Sequence, residues 1–187
     1  MIIKEYDMRV ITGTARGRRL LTLEGDDVRP TTDKVKEALF SIIQFEIEGR
    51  RVLDLFAGSG QLGIEALSRG AKNAAFVDSS KKSIDIIRQN IENTGFEKNS
   101  VVLNTDAVSF LRTRADKYDI AFLDPPYRTG LLQKALDGID RVMSDGAVIV
   151  AECPADEEFP ENAGTFKKTK EYKYGKIKLA LYRKVLE

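Results

Sequence analysis

The sequence predicts an α/β fold: a mostly parallel, seven-stranded sheet of Rossmann-like type, helices on both faces, a C-terminal antiparallel hairpin and a small N-terminal extension. Three observations predict it. From Arg51 onward, apolar strand-like runs alternate with segments of helical period through five units. Apolar strands separated by helices of this length require a mainly parallel sheet covered on both sides. After Pro154 the alternation gives way to two β-rich runs flanking Gly175, which read as a hairpin at the sheet edge.

Taken in order, residues 8–12 (MRVIT) and 18–23 (RRLLTL) read as short strands around a Gly/Arg turn, followed by the loop 24–32. Val35, Ala38, Leu39, Ile42 and Ile43 then fall on the i, i+3, i+4, i+7, i+8 template of an amphipathic helix. Thr31 or Thr32 can cap it, and Gly49 closes the region. The first unit of the sheet is RVLDLF (51–56) with the helix GQLGIEALSRG (60–70), and the second is NAAFVD (73–78) with a helix from Ser80 to Thr94. SVVLNT (100–105) precedes a helix near 107–114, and YDIAFL (118–123) precedes a helix over about 131–142. GAVIVAE (146–152) ends the series, and KEYKYG with KIKLALYRK supplies the hairpin. Residues 1–50 are expected as an extension packed on a core domain of 51–187.

Composition narrows the chemistry. The 187 residues suit one domain, and 32% charged with 42% hydrophobic residues is ordinary for a soluble globular protein. No apolar run approaches the ~18 residues that span a bilayer, and MIIKEYDMRVITG carries no apolar signal core, so the expected location is the cytoplasm. The single cysteine, Cys153, excludes an internal disulfide and fits a reducing compartment. With no histidine, zinc sites and histidine-based triads are excluded, and no metal is expected. The net charge of +1 hides two basic ends: Arg9, Arg16, Arg18 and Arg19 with no acid among them, and eight Lys or Arg against Glu171 alone from Lys167 to Lys184. The lysine-rich end reads as a solvated face. Arginines interleaved with glycine in TGTARGRRL instead suggest phosphate contact, since guanidinium groups bind phosphate bidentately.

Two turns carry the candidate site. DLFAGSGQLG (54–63) follows the first strand, and Gly58 with Gly60 permits a tight bend close to a ligand. Such a turn serves nicotinamide, flavin and adenosyl ligands alike. The acids at successive strand ends, Asp54, Asp78, Asp106 and Asp124, would repel a pyrophosphate and attract a ligand carrying a sulfonium and an ammonium, which favours S-adenosylmethionine (AdoMet). Asp78 can accept hydrogen bonds from both ribose hydroxyls. Asp106 can take the adenine amine or simply cap a helix. The second turn, Asp124-Pro125-Pro126-Tyr127, fixes two successive φ angles and holds an acid and an aromatic ring on a stiff bracket. Asp124 and the Pro125 carbonyl can hold an exocyclic amine in line with a methyl group, while Tyr127 stacks on an extruded base.

DLFAGSGQLGIEALSRGA together with FLDPPY, MRVITGTARGRRL and RPTTDKVKEALF closely resembles the RsmD-type bacterial methyltransferases, over about residues 8–153. The resemblance implies a class I AdoMet-dependent methyltransferase acting on the N2 of a guanine in 16S ribosomal RNA, free or within an assembling small subunit, as a monomer. It implies that Asp54, Phe56, Ala57, Gly58, Ser59 and Gly60 line the AdoMet pocket. Asp78 would hold the ribose and Asp106 the adenine, with Ser79 and Ala107 also binding the cofactor, and Asp124 to Tyr127 would hold the target amine. Arg9, Arg16, Arg18, Arg19 and Arg29 would contact RNA. Related enzymes often carry Glu at the ribose position, one methylene longer than Asp78. Met8 aligns with the usual family start, leaving residues 1–7 as an extension without an assigned role. Competing readings are an adenine-N6 nucleic-acid methyltransferase, a protein-glutamine methyltransferase, a nicotinamide oxidoreductase, and a non-catalytic RNA-binding module of the same fold.

Overall fold

A computed structural model describes residues 8–23 and 33–184. Its centre is an eight-stranded sheet in the order β3-β2-β1-β4-β5-β8-β7-β6. The strands are β1 (Arg51–Asp54), β2 (Asn73–Asp78), β3 (Ser100–Asn104), β4 (Tyr118–Leu123), β5 (Met143–Pro154), β6 (Asn162–Ala163), β7 (Phe166–Tyr174) and β8 (Ile177–Lys184). Pairings from β3 through β5 are parallel, and β8 then runs antiparallel between β5 and β7. The strand order reverses at β1, between β2 and β4, and in such sheets ligands bind in the crevice beyond the carboxyl ends at that switch point.

Side chains alternate between two cores, one on each face. Val52, Ile120, Phe122, Val148 and Val150 belong to the first, and Leu53, Ala121, Leu123, Ile149 and Ala151 to the second. The first is covered by α1 (Asp33–Ile42), α2 (Gln61–Ser68), α3 (Lys81–Thr94) and the amino-terminal segment; the second by α4 (Ala107–Thr113), α5 (Leu131–Leu136) and the 3-10 turn Ile139–Val142. Phe40 of α1 meets Phe122 of β4 at a ring separation of 5.5 Å, and truncating either buried ring to Ala should cost about 3–5 kcal/mol. No helix among the described residues is long and apolar enough to cross a membrane.

Three features differ from the sequence-based expectation. The sheet has eight strands rather than seven because the two-residue β6 adds to the edge of β7. The expected helix over 131–142 breaks into α5 and a 3-10 turn around Asp137 and Gly138. The two amino-terminal strands reduce to a single antiparallel bridge, Arg9 with Arg19. That ladder stops because the next donors are taken by side chains: the N–H groups of Ile11 and Thr12 donate to the Glu65 carboxylate at 2.8 and 3.0 Å, and that of Ala15 to Ser68 Oγ at 3.0 Å. The expected caps Thr31 and Thr32, with Arg29, lie outside the described residues.

The amino-terminal segment is thus docked on α2 by buried polar groups. Glu65, fully buried, also accepts from Arg69 Nε at 2.8 Å and lies 3.9 Å from Lys36 Nζ. Lys36, equally buried, donates to the Arg9 carbonyl at 2.7 Å. Burial pushes its ammonium pKa down, against the pull of Glu65. At Gly13, φ is +87° and any Cβ would stand 1.7 Å from the Ser68 carbonyl oxygen, so only glycine allows this close approach.

Candidate active site

β1 ends at Asp54, which is 2% exposed and accepts a hydrogen bond from the Gly63 N–H at 2.9 Å. Burial pushes its carboxyl up to about 7, the Gly63 bond opposes the rise, and the charge of Asp78 adds to it. The following turn folds back on β2: Ala57 N–H donates to the Val77 carbonyl at 3.0 Å, and Gly58 N–H donates to Asp78 Oδ2 at 2.9 Å. Asp78 Oδ1 accepts from Ser80 N–H at 2.8 Å, so both carboxylate oxygens are fixed by backbone donors and each keeps capacity for another. A Cβ on Gly58, where φ is +55°, would meet no atom within 4 Å and would project into open space.

Beyond β3, Asp106 caps α4 by accepting from Ser109 N–H at 2.9 Å, and that bond holds its carboxyl below the usual range. Beyond β4, the Asp124 to Tyr127 bracket runs into a turn in which Thr129 Oγ1 donates to the Pro126 carbonyl at 2.7 Å and Arg128 adopts φ +60°. Tyr127 Oη donates to Glu152 Oε1 of β5 at 2.7 Å.

These pieces surround one cleft of about 920 Å³. Asp54, Phe56, Ala57, Gly58 and Ser59 line it from the first turn; Asp78 and Ser79 from the second strand end; Asp106 and Ala107 from the third; Asp124 to Tyr127 from the fourth. Gly60 does not line it: it is buried under the turn as the N-cap of α2. Arg9, Arg16, Arg18 and Arg19 also lie outside the cleft, exposed on the docked segment whose flanks, Met8 and Thr22, reach the rim.

Sequence reasoning passed over two lining or adjoining groups. Gln61 lies in the cleft wall, 8% exposed, with Oε1 lacking a hydrogen-bond partner. Glu152, 5% exposed, sits behind Tyr127. Its signal lies in the sequence, since β5 also carries an acid near its end, one strand beyond the four aspartates.

Four aspartates and no lysine or arginine line the cleft among the described residues. That charge pattern suits a cationic ligand and opposes a pyrophosphate. The open space above Gly58, the preset Asp78 carboxylate and the unpartnered Gln61 amide oxygen fit the size and polar groups of AdoMet.

The switch-point cleft on this mostly parallel sheet, with its antiparallel C-terminal hairpin, defines a Rossmann-like methyltransferase fold of the AdoMet-dependent class. The family described as Conserved hypothetical protein 95, the RsmD family, matches residues 8–183, and the chain belongs to it. The Bacillus subtilis protein YlbH is 41% identical over 182 residues, covering 95% of this chain and 99% of that protein. Ribosomal RNA small subunit methyltransferase D of Escherichia coli is 34% identical over 181 residues, covering 95% and 90%. The solved structure of Escherichia coli yhhF superposes with a TM-score of 0.82 at 33% identity, covering 95% of this chain and 97% of that one.

Proposed function

We propose that the protein is an AdoMet-dependent ribosomal RNA methyltransferase that acts on the exocyclic N2 of a guanine in 16S ribosomal RNA. The observation that carries the reading is the shared cleft: the Gly58–Asp78 turn and the Asp124-Pro125-Pro126-Tyr127 bracket open into the same space. The relatives named as small-subunit ribosomal RNA methyltransferases support the substrate class.

AdoMet supplies a methyl group already activated on a sulfonium. The protein's work therefore lies with the acceptor. The guanine amine is a poor nucleophile because its lone pair is delocalised into the ring. Asp124 and the Pro125 carbonyl accept hydrogen bonds from its N–H groups, hold nitrogen in line with the methyl carbon and stabilise the positive charge that develops there. With AdoMet bound, the nitrogen lone pair would form the new N–C bond as the S–C electrons stay on sulfur, and Asp124 would take the amine's proton. Asp78 would take the ribose hydroxyls with the lone pairs its backbone donors leave open, and Asp106 with Ala107 would take the adenine. Arg9, Arg16, Arg18 and Arg19, exposed on the amino-terminal segment, hold RNA phosphates, together with Arg29, which lies outside the described residues.

The test is transfer of labelled methyl from AdoMet to 16S ribosomal RNA, followed by mass identification of the modified nucleoside. N2-methylguanosine is expected. Methyl on adenine N6, or no transfer to this RNA or to small-subunit particles, overturns the assignment.

A further inference from the structure

We propose that Glu152 is the residue that reads the target base as guanine, by accepting a hydrogen bond from its N1–H. This rests on the functional reading above and extends it from the reacting amine to base selection.

Glu152 occupies a position that packing alone does not explain. It lies near the carboxyl end of β5, 5% exposed, where an acid is ordinarily excluded unless its oxygens are matched. Only one is: Oε1 accepts from Tyr127 Oη at 2.7 Å, while Oε2 has no hydrogen-bond partner and is closed to solvent. No arginine or lysine forms an ion pair with it among the described residues. Burial accordingly pushes its carboxyl pKa up, with the Tyr127 bond opposing. A buried acceptor left in this state costs free energy, and a functional demand is the usual reason for keeping one.

The position relative to Asp124 says what that demand is. β4 and β5 are parallel, and Leu123 pairs with Ala151. One residue further on, Asp124 leaves β4 and Glu152 continues β5, so the two acids follow neighbouring positions on adjacent strands, which in a sheet lie about 4.8 Å apart. Glu152 also lines a hollow of about 100 Å³ that shares Pro125, Pro126, Tyr127 and Thr129 with the main cleft. Guanine presents two donors in a row on its Watson–Crick edge, the 2-amino group and N1–H. With Asp124 on the amine, the neighbouring acceptor on the next strand, longer by one methylene, is placed for N1–H. The base reaches Oε2 by shifting the Tyr127 side chain, whose hydroxyl keeps the carboxyl oriented. Adenine-type bases carry a bare lone pair at N1, which a carboxylate repels, so the buried acceptor is left unpaired and such a base is rejected.

The test uses RNA in which 2,6-diaminopurine replaces the target guanine. It keeps the 2-amino group but has a lone pair in place of N1–H. The parent should prefer guanine in kcat/KM by at least about 100-fold, as expected when one buried hydrogen bond to a charged group is removed. Glu152→Gln retains the shape and can offer either an oxygen or an N–H, so the preference should fall below about tenfold, with unchanged AdoMet affinity by calorimetry showing an intact fold. Equal parent rates on the two bases, or an undiminished preference in Glu152→Gln, overturns the inference while the guanine-N2 activity stands. If the parent does not methylate guanine at all, both readings fall together.

Discussion

Asp78 locks the glycine turn through Gly58: its Oδ2 accepts the Gly58 N–H at 2.9 Å while Oδ1 is held by Ser80 N–H at 2.8 Å. On the proposed reading, the carboxylate that would receive the ribose is thereby oriented before any ligand arrives, and the same bond shapes the loop that would lie against the ligand. One side chain is thus a scaffold and, on that reading, would be a binding group as well.

Asp78→Ala should consequently weaken AdoMet binding by more than a ribose contact alone. Removing charge-assisted bonds costs ~1.5–3 kcal/mol, or roughly 10–150-fold in Kd, and the untethered turn adds to it. Asp78→Asn, which keeps one acceptor, should fall between Ala and the parent. Gly58→Val should bind poorly for two reasons: φ is +55°, and the branched side chain enters the open space. Titration calorimetry gives the three affinities, and parent-like values in Asp78→Ala would remove Asp78 from the site.

Asp54 sets a pH dependence. Its folded-state pKa is raised to about 7, above its ordinary value, so the folded state holds a proton that the unfolded chain has released. Its contribution to stability is therefore lost progressively as pH rises from about 4 to about 7, and is constant above that. Asp54→Asn should show a melting-temperature advantage over the parent that grows across this window and then levels. Because the ionised carboxylate attracts a cationic ligand in the cleft it lines, parent AdoMet affinity should rise towards pH 7 and the variant's should not. Parallel pH profiles for the two proteins would contradict this.

The exposed arginines test the RNA surface separately. Replacing Arg16, Arg18 and Arg19 with Ala should weaken RNA binding and lower the slope of log K against log salt by roughly 0.7–0.9 for each phosphate left without its guanidinium. AdoMet affinity should not change, since none of the three lines the cleft. Gly13→Ala should loosen the same surface indirectly, because its Cβ collides with Ser68 and lifts the segment from α2. An unaltered salt slope in the triple variant would make this segment a structural turn only.

The fold was legible because burial on both faces of a parallel sheet leaves near-continuous apolar runs, here Val52 with Leu53 and Val150 with Ala151, each separated from the next by a helical segment. The cleft was legible because short polar interruptions, Asp54 and Gly58 or Asp124 and Pro125, fall where strands end. What stayed hidden depends on packing between distant segments. Lys36 reads as an exposed helix position beside the apolar stripe, and only the docking of residues 8–20 buries it against Glu65. The same docking diverts the N–H groups of Ile11 and Thr12 from a strand ladder to a side chain. Glu152 reads as the polar end of a strand until the bracket brings Tyr127 over it.

The bracket itself separates chemistry from binding. If Asp124 holds the guanine amine as charge develops, Asp124→Ala should leave RNA and AdoMet affinity near the parent values while lowering turnover. Removing one preorganised group of this kind typically costs ~2.7–4 kcal/mol, or roughly 100–1,000-fold in rate. Tyr127 should behave differently, because its ring and its hydroxyl have separate partners. Tyr127→Ala removes the stacking face and should harm both base capture and turnover. Tyr127→Phe keeps that face but withdraws the donor from Glu152 Oε1, leaving a buried carboxyl with neither oxygen bonded to it. A cost of about 1–3 kcal/mol follows, expressed as a fall in turnover within about 100-fold and a weaker preference for guanine over 2,6-diaminopurine. Single-turnover transfer of labelled methyl to 16S ribosomal RNA measures all three. A near-parent rate for Asp124→Ala would show that this carboxylate is not the amine's partner, and full activity with unchanged base preference in Tyr127→Phe would show that the hydroxyl does not orient Glu152.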